Sequence, residues 1–275
     1  MFDAKSTTTD VIAGHDLTGR NVVVTGGAAG LGYETARALA SAGARVLLAG
    51  RNADQGQAAV ISLREVTGND SIIFSRLDLA SLTSVREFAA TYNSALHLLI
   101  NNAGVMAVPL SYTADGFETQ LGVNHLGHFA LTTGLLPALR AAGTARVIAL
   151  SSRAHRRSDV HFDDPNYRHR PYDPWESYGQ SKSANALFAA GLTQRYKGQG
   201  ITGYSVMPGG KQGAATTVYA AVTAELAGGE YLDNCAVAEP WTGAGDPPNG
   251  YYLPRILDLA RAERLWSLSA DLTCA

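Results

Sequence analysis

The amino-acid sequence predicts an α/β fold, Rossmann-like and doubly wound, with a mainly parallel sheet of about seven strands and helices on both faces. Three observations carry that expectation. Short, continuous apolar runs recur along the chain, segments of helix formers separate them, and a glycine-rich turn directly follows the first run. With 275 residues, the chain is long enough for one large α/β domain, whereas two separate domains would each be small.

Val22-Val23-Val24 is the first strand, and helix formers over 31–42 are stopped by Gly43. Val46-Leu47-Leu48-Ala49 is the second strand, followed by a helix over 55–66 and a third strand over 71–74 that holds the β-branched Ile72 and Ile73. A helix over 82–92 leads to a strand over 96–100. A longer helix over 122–142, kinked at Pro137, precedes a strand over 146–150. A helix over 178–197 then leads to a strand over 201–206. Residues 155–176, with Pro165, Pro171 and Pro174, show no period and read as a long loop beside the strand that ends at Leu150. Ligands of open α/β sheets collect at the carboxyl ends of strands, so that loop is well placed for function.

Composition narrows the function classes. A formal net charge of -2 gives no global reason to bind nucleic acid, and Arg153, Arg156 and Arg157 read as a charged surface turn. Cys235 and Cys274 are too few for a disulfide framework and lack zinc-type spacing, which suits a reducing, cytoplasmic setting. The first residues show no basic start with an apolar core, and no apolar run approaches the roughly 20 residues of a membrane span. His125, His128 and His155 form no ligand set with acids at suitable spacing, so packing or loop roles are expected and no metal.

The turn Thr25-Gly26-Gly27-Ala28-Ala29-Gly30-Leu31-Gly32 lies between strand and helix. Missing Cβ atoms there let backbone approach a phosphate, which the helix N–H groups can bind. At the end of the second strand, where an acid would meet a ribose 2′-hydroxyl, stands Arg51. Arg51 is suited to a 2′-phosphate, with Asn52 as a second polar contact, and a surface arginine is the alternative. Tyr178-Gly179-Gln180-Ser181-Lys182 sets a phenol and an ammonium four residues apart on one helical face. A nearby ammonium favours the phenolate, so the pair can exchange a proton with a substrate oxygen.

Together with Asp78-Leu79, Asn101-Asn102-Ala103-Gly104, Asn124 and Ser151-Ser152, these elements resemble, in this order, the short-chain dehydrogenase/reductase family from about residue 17 to residue 206. The resemblance implies NADP(H)-dependent hydride transfer between a carbonyl and an alcohol. It makes Tyr178 the general acid/base and Lys182 the residue that holds the nicotinamide ribose. Ser152, which follows the strand that claims Ser151, orients the reacting oxygen, and Asn124 holds a water connecting Lys182 to solvent. Asp78 contacts the adenine, Leu79 stands beside it, and Asn102, Ala103 and Gly104 line the cofactor, as do Pro208 and Gly209. The wording of Asn124-His125-Leu126-Gly127-His128-Phe129 is similar to the retinol dehydrogenase-like and protochlorophyllide reductase-like branch, which implies apolar carbonyl or alcohol substrates.

The expected organisation is one dinucleotide-binding oxidoreductase domain over 1–275. Residues 1–16 form an N-terminal extension and 207–275 the substrate side and C-terminal part, with Tyr231-Leu232 completing the sheet and 246–249 a turn. The sequence departs from the family after Met207-Pro208-Gly209-Gly210, where a threonine and most of a lid are lacking at Gly210/Lys211. Either the chain is naturally short there, or a lid segment has dropped out of the sequence, which is the favoured reading because lids come from the least stable parts of a fold. An NADPH-dependent C=C reductase and a non-catalytic NADP(H) sensor are the competing readings. A sensor has no need of Ser152, Tyr178 and Lys182 together. A homo-oligomer stays open.

Overall fold

A computed structural model describes residues 2–209 and 213–274. The Gly210/Lys211 junction lies outside the described residues. The main sheet has the order β3-β2-β1-β4-β5-β6-β7-β8. Its strands are β1 (Asn21–Thr25), β2 (Arg45–Gly50), β3 (Ile72–Arg76), β4 (Leu98–Asn101), β5 (Ala145–Leu150), β6 (Ile201–Met207), β7 (Tyr231–Asp233) and β8 (Ala236–Val237). Neighbours pair in parallel except β8, which runs antiparallel to β7. That eighth, two-residue strand and the small parallel pair β9 (Glu239–Pro240) and β10 (Tyr251–Tyr252) are additions to the seven strands expected. They are too short to carry a period.

The apolar runs of the central strands β1, β4 and β5 are continuous because these strands are buried on both faces. Val22 and Val24 enter one core with Ile148 and Leu150, while Val23 enters the other with Leu99, Val147 and Ala149. Each fully buried Val, Leu or Ile contributes roughly 1.5–3 kcal/mol relative to exposure, so both layers of helices are held by the same strands. The chain reverses its direction of growth between β1 and β4, and the crevice at their carboxyl ends is the expected ligand position.

Helices α2 (Gly30–Ser41), α3 (Ala53–Thr67) and α4 (Leu82–Thr91) match the periodic segments. The long fourth helix is divided into α5 (Thr119–Leu121), a π-helical turn Gly122–Leu126, α6 (Gly127–Gly134) and α7 (Leu136–Ala141). The break at Leu135 (φ -91°, ψ 2°) comes two residues before Pro137. Helix α8 (Pro174–Tyr196) begins one turn earlier than the sequence suggested. Asp173 accepts a hydrogen bond from Glu176 N at 2.7 Å and Pro174 opens the first turn, so the proline read as a loop residue is a helix start.

The segment before β1 is integral to the fold. Helix α1 (Thr8–Ile12) is closed by a capping box between Thr7 and Asp10, and Val11 and Ile12 are buried in the core. Helices α9 (Ala214–Val222) and α10 (Leu259–Thr273) complete the set. Among the described residues, no helix is long and apolar enough to cross a membrane.

Candidate active site

A cavity of about 430 Å³ opens at the carboxyl ends of β1, β2 and β4, and Thr25, Gly26, Ala29, Leu31 and Gly32 from the glycine turn line it. Gly26 (φ +64°) and Gly30 (φ +55°) take backbone conformations that favour glycine, and a Cβ on Gly30 would project into open space. A Cβ on Gly32 would lie 2.3 Å from the Gly26 carbonyl oxygen and 2.5 Å from Asn102 Nδ2. Ala29 stands at the N-cap of α2 and supplies no side-chain acceptor, which leaves the first-turn N–H groups to an anion. These features fit the diphosphate of a dinucleotide.

The remaining walls come from the loops after β2, β3 and β4. Arg51, Asp78, Leu79, Asn102, Ala103 and Gly104 all line the cleft. Arg51 is exposed at its rim. Asp78 turns one carboxylate oxygen to Ala80 N (3.0 Å). Asn52 does not line the cleft. Its side-chain oxygen accepts from Gln55 N (3.0 Å) and caps α3, because the first residue before a helix is where an asparagine satisfies an orphan amide.

A second cavity of about 140 Å³ shares Leu31, Asn102, Gly104 and Val105 with the first and adds Met106, Leu150, Ser151, Tyr178, Lys182 and Pro208. The structure thus brings the helical Tyr178/Lys182 pair to the end of the glycine-turn cleft. Gly209 instead borders a separate small depression with Asp3 and Asn234. Lys182 is buried and its ammonium donates to the Leu150 carbonyl (2.9 Å), 5.4 Å from the Tyr178 ring centre. Burial depresses its pKa to about 8.

Burial raises the Tyr178 pKa, with the Ser152 hydroxyl opposing the shift. The lowering expected from the lysine is not seen: desolvation is the main cause of the shift, and the ammonium is turned towards the Leu150 carbonyl.

The two serines divide as their positions suggest. The Ser151 hydroxyl donates to the Lys182 backbone carbonyl (2.8 Å), whereas half-buried Ser152 caps a 3₁₀ turn through Ala154 N (3.1 Å). Ser151, rather than Ser152, lines the small cavity. Asn124 lies in the π turn, a distortion frequent at functional sites. Its side chain accepts from Val105 N (2.8 Å) and donates to Val105 O (2.9 Å) and Ser181 Oγ (2.9 Å). Both side-chain groups of Asn124 are therefore bonded to protein.

Sequence reasoning did not single out Val105, Met106 or Trp175. Met106 is 58% exposed at the cavity, and the Trp175 ring stands 6.4 Å from the Tyr178 ring, edge-on. An apolar residue in a loop carries no periodic signal. Trp175 sits one turn before Tyr178 on α8 and became legible once that helix start was known. Among the described residues, no group of three or more His, Cys, Asp or Glu side chains could hold a metal ion.

A doubly wound sheet with a glycine-turn cleft running to a half-buried tyrosine and a buried lysine defines a dinucleotide-binding oxidoreductase. The chain belongs to the short-chain dehydrogenase family, whose profile matches residues 20–221. It is 39% identical over 287 residues to human retinol dehydrogenase 12, covering 93% of this chain and 87% of that protein. The crystal structure of an uncharacterized protein from Mycobacterium paratuberculosis has a TM-score of 0.83 at 39% identity, covering 98% of each chain. A Pseudomonas aeruginosa RhlG/NADP active-site complex has a TM-score of 0.57 at 29% identity, covering 70% of this chain and 73% of that one.

Proposed function

We propose that this protein is an NADP(H)-dependent oxidoreductase that interconverts an apolar carbonyl compound and its alcohol. The observation that carries the reading is the convergence of Tyr178 and Lys182 on a cavity adjoining the glycine-turn cleft. The glycine turn and Lys182 would hold the dinucleotide, which when bound would supply the hydride for carbonyl reduction or accept it in alcohol oxidation.

Tyr178, kept protonated by burial, donates its phenolic proton to the carbonyl oxygen during reduction and receives it back during oxidation. Ser152 hydrogen-bonds the same oxygen and holds it against the phenol. Lys182 uses one N–H on Leu150 O and has two more for ribose hydroxyls. A ribose contact would hold the ammonium charged, and that charge would stabilise the phenolate left after proton transfer. Asn124 fixes the Val105 backbone on one side and Ser181, the neighbour of Lys182, on the other.

Arg51 meets a 2′-phosphate with charge-assisted hydrogen bonds, and the structural relative bound to NADP supports that choice. Val105, Met106 and Trp175 offer an apolar approach to Tyr178, in keeping with retinol dehydrogenase 12 among the relatives. The test is NADPH oxidation with medium-chain and polyene aldehydes, with the product identified as the alcohol. Tyr178→Phe lowers kcat by about 10²–10⁴-fold while NADPH still binds. Unchanged turnover in that variant overturns the assignment.

A further inference from the structure

We propose that His128 is a positioning residue that joins the glycine turn to Asn124 and so couples cofactor binding to the catalytic end of the site. The proposal rests on the oxidoreductase reading above and adds a residue to it. The imidazole is buried, with Nε2 2.9 Å from Thr25 Oγ1 and Nδ1 2.9 Å from the Asn124 carbonyl oxygen.

Counting donors fixes its tautomer. The Thr25 hydroxyl has two lone pairs and one proton. Asn102 N (2.9 Å) and Ala103 N (3.0 Å) both donate to it, which fills the lone pairs. A proton on His128 Nε2 would have no lone pair to meet. Thr25 therefore donates into a bare Nε2, with Ile100 O as a longer second acceptor at 3.2 Å. The ring proton is then on Nδ1 and is donated to Asn124 O. A second ring proton would face the hydroxyl proton, and burial independently depresses the His128 pKa to about 4.

Each end of the imidazole holds a different part of the site. The Thr25 end orients the hydroxyl that gathers the Asn102 and Ala103 amides at the nucleotide cleft. The Asn124 end holds a carbonyl in the π turn, and the side chain of the same residue fixes Val105 and Ser181. One rigid ring thereby sets both.

Two substitutions separate the ends. His128→Asn keeps a donor near the Nδ1 position and loses the Thr25 contact, whereas His128→Gln can reach the Nε2 position with its carbonyl oxygen and loses the donor to Asn124. His128→Asn is expected to raise the NADPH Kd about tenfold and change kcat no more than about threefold, and His128→Gln to show the reverse split. Far-UV circular dichroism and melting temperature verify that both fold. Equal losses in both quantities for both variants, or no loss in either, overturn the positioning role.

Imidazole ¹⁵N NMR of the cofactor-free protein is the independent reading. The Nδ1–H tautomer, unprotonated through neutral pH, is expected, and an Nε2–H tautomer overturns the network itself. Wild-type protein that shows the expected tautomer but binds no NADPH overturns the oxidoreductase reading, and the coupling role with it.

Discussion

Asn102 Nδ2 donates to the Thr25 carbonyl at 2.7 Å, so the loop after β4 is fastened to the loop after β1. The Asn102 backbone N–H adds a second bond to the Thr25 hydroxyl at 2.9 Å. The floor of the glycine-turn cleft is thus set by two loops that are far apart in sequence and adjacent in the sheet. Its tolerance for added atoms is correspondingly small.

Gly32→Ala tests that tightness. The new methyl group would meet the Gly26 carbonyl at 2.3 Å and Asn102 Nδ2 at 2.5 Å, so backbone or the Asn102 side chain must shift. The expected cost is about 1–3 kcal/mol of stability with a tenfold or greater loss of NADPH affinity, read by urea denaturation and fluorescence titration. Wild-type values for both would show that the turn yields easily.

Arg51→Ala addresses cofactor choice. Its exposed position predicts a stability change within about 0.5 kcal/mol. Loss of charge-assisted bonds to the 2′-phosphate predicts a drop in the NADPH-over-NADH affinity ratio of about 10–100-fold. An unchanged ratio removes Arg51 from the cofactor site.

Lys182→Met is expected to lose activity yet stabilise the cofactor-free fold near neutral pH. The lysine pKa is depressed by burial from 10.5 to about 8. Between those values the unfolded chain binds the proton that the folded chain releases, so stability rises with pH across the window, and the cost of burial is complete below it. Methionine removes that cost, on the order of 3 kcal/mol. Leu150 O retains a bond from Asn185 Nδ2 at 2.9 Å. Denaturant midpoints measured from about pH 7 to about pH 10 should show the variant's advantage shrinking as the pH rises. A constant difference contradicts a burial-depressed lysine.

Acid should destabilise the protein before its carboxylates titrate. Burial depresses His125 to about 3 and His128 and His155 to about 4, from 6.5. As the pH falls from 6.5 towards 4 the unfolded chain takes up protons that these folded histidines refuse, so stability is lost on acidification. Each histidine contributes on the order of 3 kcal/mol to that loss. His125, packed against Phe129 and Phe188 with Nε2 2.8 Å from Ser269 Oγ, is the simplest to examine. His125→Gln should flatten the stability-pH slope between about pH 6.5 and pH 4, and an unaltered slope assigns the acid sensitivity elsewhere.

By itself the sequence determined the alternation of strands and helices, the glycine turn, and the pairing of Tyr178 with Lys182. Each is a local pattern: doubly buried strands give continuous apolar runs, a turn with positive φ selects glycine, and a four-residue spacing places two side chains on one helical face. The start of α8 was less legible, because the same proline that ends one helix can open another and only the Asp173 cap decides between them.

Tertiary structure decided what depends on partners distant along the chain. It turned the Lys182 ammonium to Leu150, raised the Tyr178 pKa by burial, gave Asn52 to a helix cap, and set His128 between Thr25 and Asn124. A side chain's burial and hydrogen-bond partners, unlike its period, are properties of the packed sheet and helices, and no local pattern encodes them.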